Sequence, residues 1–437
     1  MPAGDFGAVV ARDMKARATR EEVRRDTDAH PSVRSLIAGT EDEVFLLSSG
    51  ATATPDTVNY RVGGQGWRLS STNTGTLSAS VNGPIGAPPF QAVGLWVYVP
   101  DPSVITDIGL YLYFSQDLAA ANRFWRAFKA HSPQTPIVQG WNFFRIPADL
   151  SIPGVLNRGT IWRASVYAVT TSTSASITIG HLYLETPPKA RMVMIADRGY
   201  QDFYSGLYQH LKARQIPVTF AVDVTLFGTG TGRTLAMSEA LMHEVARENG
   251  NSISFHGWDG APTSTMTAAQ LRADTAKAVK WLQTHGYSGR MWRAAYVQGS
   301  APAWESARGL LVGSASGTGP SRPNAWPPQD MHNIYRYALD NTATTASIDA
   351  WFDWLKATHM TDLVFVHSES TATVDYTPEL RTHFLARVDQ ALAEGWLSFE
   401  TFESLFRAAG GRWSEGGGSA VAEWTDAQGA RTVKHLL

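Results

Sequence analysis

The chain has 437 residues, 43% of them apolar, which is enough for two or three domains that each bury a core. Its formal net charge is -2 with both signs interspersed, and no apolar run is long enough to span a bilayer, so neither nucleic acid nor membrane insertion is expected. Cysteine is absent, which excludes disulfides, thiolate metal ligands and a cysteine nucleophile.

Residues 1–50 are predicted to form a helical arm that serves as an attachment segment. Residues 9–25 are rich in helix formers but have few apolar positions, which is typical of a polar helix outside a core. A solvated terminal helix without a further role is the alternative interpretation. The N-terminus lacks the basic start and apolar stretch of a secretory signal, so we expect delivery outside a cell to use another route, such as a phage particle.

Residues 51–187 are predicted to form an antiparallel β-sandwich. Short runs with period two, such as residues 94–99, 108–114 and 141–146, are separated by loops of Gly, Pro, Asn and Ser. The placing of the Trp and Tyr residues in these runs resembles the jelly-roll, lectin-like modules found beside carbohydrate-active domains. That resemblance implies a carbohydrate-binding role for this domain.

Residues 188–409 change to strands that alternate with helices. Helices are predicted over residues 202–214, 235–249, 348–357 and 378–394, with a further helix around residues 271–282. Repeated β-then-α units over about two hundred residues predict a parallel sheet or a barrel. Residues 410–437 are predicted to be a Gly-rich linker followed by a small hairpin.

Four polar residues follow hydrophobic runs that we interpret as strands of this second domain. They are Asp197, His256, Arg293 and His367. Chemistry in parallel α/β folds collects at the C-terminal ends of strands, where the backbone is fixed and the following loops are free to vary. The four residues therefore predict one functional site.

The order of these residues resembles the polysaccharide deacetylase family, carbohydrate esterase family four, over residues 191–406. That family folds as an irregular (β/α) barrel, so the resemblance implies this fold here. Residues 196–199, Ala-Asp-Arg-Gly, align with the family's Phe-Asp-Asp-Gly, which implies that Asp197 is the general base. Residues 216–220, Ile-Pro-Val-Thr-Phe, resemble the strand that follows in the family.

The later motifs of the family assign roles to three more residues. His256 takes the place of the first metal-binding His, and Arg293 takes the place of the Arg that orients the base. His367 ends a run that resembles the final motif, which implies that it is the general acid. The residues assigned to substrate contact near these motifs are Tyr200, Trp258, Tyr296 and Glu369.

Two departures from the family pattern bear on the metal. Arg198 stands where the family has its metal-binding Asp, and Gly260 stands where it has its second His. An arginine removes a ligand and adds a permanent positive charge at the place of the cation, so the usual metal site is predicted to be absent. A rearranged zinc site that uses His256 and Asp259 is the alternative, with Asp223 and Glu369 as further acids near it.

Without a metal, Asp197 would take a proton from water, His367 would protonate the leaving group, and Arg198 with Arg293 would stabilise the oxyanion. The alternative for Arg198 is an ion pair that closes a degenerate cleft. The leading hypothesis is thus a deacetylase acting on a bacterial surface polysaccharide. An inactive glycan-binding pseudoenzyme and a glycoside hydrolase that pairs two of Asp197, Asp223 and Glu369 are the alternatives.

The domain order also resembles a minor tail or receptor-binding protein of a bacteriophage. This resemblance implies a place in the virion tail, action at the outer surface of the host bacterium, contacts with other phage tail proteins and assembly as a homotrimer. A bacterial cell-surface enzyme is the rival interpretation.

Overall fold

The computed structural model divides into two compact units, Met1–Pro187 and Pro188–Leu437. The structure describes residues 33–38, 46–47, 50–59, 65–82, 90–114, 116, 123–129, 137–147, 160–294, 309–315, 317–318, 324–326, 328, 331–332, 334–370, 372, 375–408, 411–416, 419–425 and 431–436. The predicted helix over residues 9–25 lies outside these ranges. Within them, no helix has the length and apolar character needed to cross a membrane.

The first unit is built from antiparallel strands. They are β1 (Val33–Ala38), β2 (Leu46–Leu47), β3 (Ala51–Asp56), β4 (Gly66–Ser71), β5 (Gly75–Asn82), β6 (Ala92–Val99), β7 (Ile105–Tyr113), β8 (Arg123–Lys129), β9 (Gly140–Pro147), β10 (Arg163–Thr170) and β11 (Ser176–Thr186). One sheet has the order β3-β4-β11-β6-β9, with β1 also paired to β11, and the other has the order β2-β5-β10-β7-β8.

The two sheets face each other through alternate side chains, which confirms the predicted sandwich. In β6, Leu95, Val97 and Val99 are fully buried while the side chains between them are half-buried. Phe128 of β8 and Phe144 of β9 stack across the two sheets with ring centroids 4.5 Å apart. This period-two burial is what an antiparallel sheet with one core face requires. A jelly-roll path of the strands remains a prediction.

The second unit contains a parallel sheet with the order β16-β15-β14-β13-β12-β19-β18-β17, and β20 also pairs with β12. Its strands are β12 (Ala190–Asp197), β13 (Val218–Asp223), β14 (Ser252–Gly257), β15 (Trp292–Arg293), β16 (Gly313–Ser314), β17 (Gly317–Thr318), β18 (Tyr335–Ala338), β19 (Thr361–Val366) and β20 (Leu397–Phe399). Among the described residues, no pairing joins the end strands β16 and β17. The predicted parallel sheet is confirmed, and its closure into a barrel remains a prediction.

Helices follow the strands as the sequence pattern predicts. They are α1 (Gln201–Phe203), α2 (Gln209–Ala213), α3 (Glu239–Val245), α4 (Ala268–Thr284), α5 (Thr345–Thr358), α6 (Pro378–Ala393) and α7 (Phe402–Ala408), and a π-helical turn, Tyr204–Tyr208, joins α1 to α2. Polar caps fix where the long helices begin: Thr267 and Gln270 form a capping box at α4, and Thr377 caps α6 just before Pro378. Helix α3 is shorter than predicted.

The last described strands form a fourth sheet, which is antiparallel. Strands β21 (Arg412–Gly416), β22 (Ser419–Thr425) and β23 (Arg431–Leu436) pair in the order β21-β22-β23. The predicted hairpin is the β22–β23 pair, and β21 adds a strand that the sequence analysis assigned to the linker. The turn at residues 426–430 lies outside the described residues.

Candidate active site

The C-terminal ends of neighbouring strands bring the predicted residues to one edge of the parallel sheet. Asp197 ends β12, which lies between β13 and β19 in the central sheet. Asp223 ends β13, His256 lies near the end of β14, Arg293 ends β15, and His367 directly follows β19. Because all these strands are parallel, their side chains share one edge.

Asp197 forms a buried ion pair with a residue that the sequence analysis did not select. Nη1 of Arg336 donates to both carboxylate oxygens of Asp197, at 2.7 and 2.9 Å, and to the carbonyl oxygen of Ala294 at 2.9 Å. Both side chains are about 2–3% exposed. The Arg336 guanidinium also lies 4.2 Å from the centroid of the Phe365 ring. The buried Arg336 guanidinium thus balances the charge of Asp197 and fixes the orientation of its carboxylate.

His367 lies on the more exposed side of Asp197. Its Nε2 is 3.9 Å from Oδ2 of Asp197, and its side chain is 18% exposed against 3% for Asp197. Its ring also packs near those of Tyr200 and Phe365, with centroids 6.2 and 5.6 Å apart. Catalytic hydrogen bonds are often long without substrate, so this distance is compatible with proton transfer involving the pair.

Asp223, His256 and Arg198 form a second charged cluster at the same edge. Nδ1 of His256 lies 3.0 Å from Oδ1 of Asp223, and Nη1 of Arg198 lies 3.8 Å from Oδ2. Burial alone would raise the pKa of Asp223, but His256, Arg198 and Arg293 outweigh it and hold this pKa below its ordinary value. Asp223 is therefore a carboxylate near neutral pH.

The turn after Asp197 directs Arg198 toward this cluster. Arg198 has a φ of 63°, in the left-handed region that is unfavourable for a residue with a side chain, and Gly199 follows with a φ of 59°. The Arg198 side chain remains 36% exposed. It is therefore accessible from solvent while it faces Asp223.

Arg293 does not have the predicted partner. Its Nη1 lies 3.3 Å from Oδ2 of Asp274, a buried residue of α4, and Arg336 takes the place beside Asp197. Burial lowers the pKa of Arg293, against the opposing charges of Asp274 and Asp223. Two strands separate β15 from β12, so Arg293 lies away from Asp197. The arginine that the family resemblance assigned to the base thus forms an internal ion pair with Asp274 instead.

The residues present do not fit the divalent ion that the deacetylase family binds. Arg198 supplies a cation at the first ligand position, and Gly260 supplies no ligand at the third. A Cβ built on Gly260 would lie 3.3 Å from Oδ2 of Asp223, so this position does face the cluster, but a glycine with a φ of 71° occupies it. His256 remains alone of the three ligands, with Nδ1 already directed at Asp223. The metal chemistry of the family therefore has no matching ligand set.

The rearranged site with His256 and Asp259 is also not assembled. Asp259 is exposed, and its Oδ1 accepts a hydrogen bond from the backbone N–H of Ala261 at 3.1 Å. Among the described residues, neither His256 nor Asp259 belongs to a group of three side chains with ligand atoms within 4.8 Å of one another.

The residues predicted to contact substrate have different surroundings. Tyr200 lies beside His367, and its contact with substrate remains a prediction. Trp258 is half-buried, with Nζ of Lys277 lying 5.9 Å from its ring centroid. Glu369 accepts a hydrogen bond from Arg381 of α6. Tyr296 lies outside the described residues.

Two residues of the site were missed at the sequence level, Arg336 and Asp274. Arg336 lies in β18, and the alternation of Ile334, Tyr335, Arg336 and Tyr337 was the signal that could have identified this strand. Asp274 lies within α4, which also carries exposed charged residues. The sequence alone does not distinguish a buried acid at such a position from an acid that faces solvent. Both are buried, so only the packing reveals them.

The first unit presents a row of aromatic rings on the outer face of one sheet. Tyr111 stacks with Tyr113, Trp125 and Tyr167 at centroid distances of 6.0, 6.1 and 5.1 Å. Trp125 is 41% exposed, and the Arg123 guanidinium lies 5.0 Å from the Tyr111 centroid. Flat apolar faces held in a row with a polar neighbour are suited to stacking on sugar rings. We refer to these four rings as the aromatic row.

Comparison with known proteins identifies the class of domain to which the second unit corresponds. The family model described as polysaccharide deacetylase matches residues 185–311, less than a third of the chain. Residues 185–311 are therefore similar to polysaccharide deacetylases. The match contains Asp197, His256 and Arg293, whereas Arg336 and His367 lie beyond it. No curated protein matches the chain.

Solved structures of two kinds are similar to parts of the chain. A family 4 acetyl xylan esterase from Clostridium thermocellum is 16% identical over 50% of this chain and 90% of its own, with a TM-score of 0.32. A family 4 carbohydrate esterase from Streptomyces lividans is 12% identical over 48% and 92%, with a TM-score of 0.33. A family 11 carbohydrate-binding module from Clostridium thermocellum is 11% identical over 35% and 95%, with a TM-score of 0.26.

Proposed function

We propose that the protein removes acetyl groups from a bacterial surface polysaccharide without a catalytic metal. The observation that carries this proposal is the pair formed by Asp197 and His367 at the ends of the neighbouring strands β12 and β19. An acidic side chain held from inside the fold beside a more exposed imidazole provides the proton acceptor and the proton donor that hydrolysis needs. The matched deacetylase model supports acetyl as the group removed.

In this mechanism Asp197 takes a proton from water as the water oxygen attacks the acetyl carbonyl carbon. Arg198, which is exposed on the turn beside Asp197, stabilises the negative charge that develops on the carbonyl oxygen. Protonated His367 then donates its proton to the leaving oxygen or nitrogen of the sugar, and the bond to the acetyl carbon breaks. The products are acetate and a free hydroxyl or amine. Arg336 holds Asp197 in place throughout.

The aromatic row supports a division of work between the two units. We propose that it holds the polysaccharide while the second unit hydrolyses acetyl groups. The setting that we propose is a phage tail, in which the protein contacts other tail proteins and acts at the outer surface of the host bacterium.

The alternative with a specific observation in its favour is a glycan-binding protein that has lost catalysis. Arg198 and Gly260, which stand where the deacetylase family has two of its metal ligands, both follow strand ends. The Arg198 guanidinium faces Asp223 in the place that the metal ion of the family would take. The glycoside hydrolase alternative has less support, because Asp197, Asp223 and Glu369 each face a different basic partner.

The test is a paired measurement of binding and acetate release by the intact protein. The protein is incubated with acetylated and chemically deacetylated forms of several bacterial polysaccharides, and free acetate and retained protein are both determined. Acetate release that grows with enzyme concentration supports the deacetylase. Retention on the glycans without acetate release supports the binding protein, and new reducing ends would indicate a glycoside hydrolase.

A further inference from the structure

We infer that Glu239, His243 and His285 form a zinc site on the surface of the second unit, on helices rather than at the strand ends. Glu239 and His243 lie one turn apart on α3, and His285 directly follows the end of α4. The site is therefore built from side chains that neither the deacetylase motifs nor the proposed reaction uses.

The three ligand atoms already converge. Nε2 of His243 lies 3.7 Å and Nε2 of His285 lies 4.0 Å from Oε1 of Glu239, and all three atoms lie within 4.8 Å of one another. Zinc bonds of about 2.0–2.2 Å in a tetrahedron place ligand atoms roughly 3.3–3.6 Å apart. The two distances to Oε1 of Glu239 exceed this range by less than half an ångström, and rotations of the three exposed or half-buried side chains would bring all the ligand atoms within it. Glu239 and His285 are exposed, so an ion can reach the site.

Both imidazole rings are oriented through the nitrogen that does not face Glu239. Nδ1 of His285 lies 2.8 Å from the carbonyl oxygen of Trp281, and Nδ1 of His243 contacts the hydroxyl of Tyr287. A carbonyl oxygen only accepts, so Nδ1 of His285 carries the hydrogen and, in the neutral ring, Nε2 carries the lone pair. Histidine ligands of metals are held in this way, with the second nitrogen bonded to a carbonyl or another polar group.

The ligand set selects the kind of ion. Two imidazole nitrogens and one carboxylate oxygen suit zinc, and a water molecule would complete four-coordination. Calcium and magnesium prefer oxygen ligands alone. A simple surface ion pair between Glu239 and the histidines is the alternative, but it does not require both rings to aim Nε2 at the same oxygen.

A zinc ion here would stabilise the segment that supports the turn after Asp197. The residues that lead into α3 bond to this turn: the N–H of Met237 donates to Gly199 and the N–H of Gln201 donates to Leu235, at 2.9 and 2.8 Å. Joining α3 to the end of α4 would therefore restrain this segment. The expected result is a higher melting temperature with zinc, and this holds whether or not the protein hydrolyses acetyl groups.

The test is zinc binding by the full-length protein without a histidine tag, measured by calorimetry and by elemental analysis after dialysis. We expect one equivalent of zinc. We expect His243→Ala, His285→Ala and Glu239→Gln each to weaken binding at least about 100-fold, and Tyr287→Phe to weaken it about tenfold through the orientation of His243. His383→Ala is the matched control, since His383 also faces a carboxylate, that of Asp349, and should bind zinc as the wild type does.

Two results would overturn the site. One is wild-type protein that binds no zinc at micromolar concentration. The other is unchanged stoichiometric binding by His243→Ala and His285→Ala, with binding lost in His256→Ala, which would place the ion at the strand ends. Glu239→Gln changes an exposed side chain and preserves its shape, so it keeps the test decisive if a histidine variant folds poorly.

Discussion

At the scale of single residues, the ion pair of Arg336 and Asp197 dominates the site. Both side chains are nearly fully buried, and one guanidinium nitrogen contacts both carboxylate oxygens. Removing one partner of such a pair leaves an uncompensated charge in the interior, which costs far more than the pair itself contributes. We therefore expect Arg336 to contribute both to the stability of the folded state and to the position of Asp197.

We expect Arg336→Met to lower the free energy of unfolding by about 3–5 kcal/mol, because Asp197 would keep a buried charge without a partner. Urea denaturation measures this change. The matched control is Arg214→Met, which breaks an exposed pair with Asp389 and should cost at most about 1 kcal/mol. Asp197→Asn added to Arg336→Met should recover part of the loss. Equal losses in the two arginine variants would contradict this prediction.

Asp362 predicts a pH dependence of stability. Burial raises the pKa of its carboxyl from 3.8 to about 7, against hydrogen bonds from Trp351 and Leu363. Between these two values the folded state holds a proton that the unfolded state has released. The contribution of Asp362 to stability therefore falls as the pH rises from about 4 to about 7, and it stays low above that.

Asp362→Asn should accordingly reduce the difference between the melting temperatures at pH 5 and pH 8, because the variant cannot ionise. At pH 5 the variant should be less stable than the wild type, since an amide nitrogen cannot accept one of the two hydrogen bonds. Asp353→Asn is the control and should leave the pH dependence as it is, because Asp353 is exposed and pairs with Arg387, which stays charged over this range. The same pH dependence in Asp362→Asn and wild type would refute the assignment.

At the scale of elements, each sheet of the first unit packs a tyrosine ring over a glycine of the neighbouring strand. Tyr183 of β11 lies opposite Gly94 of β6, and Tyr167 of β10 lies opposite Gly109 of β7. A Cβ on Gly94 would lie 2.2 Å from Cζ of Tyr183, and a Cβ on Gly109 would lie 2.4 Å from Cζ of Tyr167. Each ring thus covers the backbone of the neighbouring strand.

We expect Gly94→Ala to lower the free energy of unfolding by about 1–3 kcal/mol, because the added methyl group forces the Tyr183 ring to move. The measurement is chemical denaturation of the single variants and the double variant with Tyr183→Leu. The cost of Gly94→Ala should shrink when Tyr183 is already replaced, since the clash is then gone. Strict additivity of the two substitutions would contradict the contact.

The ends of helices and strands were predicted best where a periodic run of apolar residues stops at a proline or at a polar residue. Helix α6 starts at Pro378 and β19 ends at Val366, both as predicted, because proline marks a first turn and His367 ends an apolar run. Strand β18 was missed because it has only four residues, so the alternation of its side chains is too short to stand out in the sequence. The partner of Asp197 was missed for a further reason: which side chains meet depends on the order of the strands in the sheet, and a sequence motif does not give that order.

At the scale of the whole molecule, the proposed function gives glycan binding to the aromatic row of the first unit and hydrolysis to the strand-end site of the second unit. The change from period-two to helix-period patterns predicted the antiparallel and parallel sheets. Closure of the parallel sheet could not be predicted, because it depends on how its end strands β16 and β17 meet, and each of them has two residues. Assembly through the N-terminal arm remains a prediction.

Trp125→Ala should separate the two tasks. We expect it to weaken retention on an insoluble acetylated polysaccharide at least about fivefold, on the order of 1 kcal/mol, because the most exposed ring of the aromatic row is lost. Acetate release from a short soluble substrate should stay unchanged. Val138→Ala, at another exposed apolar position, is the control. Equal retention of the Trp125→Ala variant and wild type would remove the binding role of the row.

The central claim, that Asp197 and His367 carry out hydrolysis, is tested most directly by acetate release from an acetylated bacterial polysaccharide. The wild type and His383→Ala should release acetate at similar rates, while Asp197→Asn and His367→Ala should release none above background. Because Asp197→Asn also leaves the Arg336 charge without its partner, all variants are compared at a temperature at which circular dichroism shows each of them folded. Undiminished acetate release by folded Asp197→Asn and His367→Ala variants would contradict the claim.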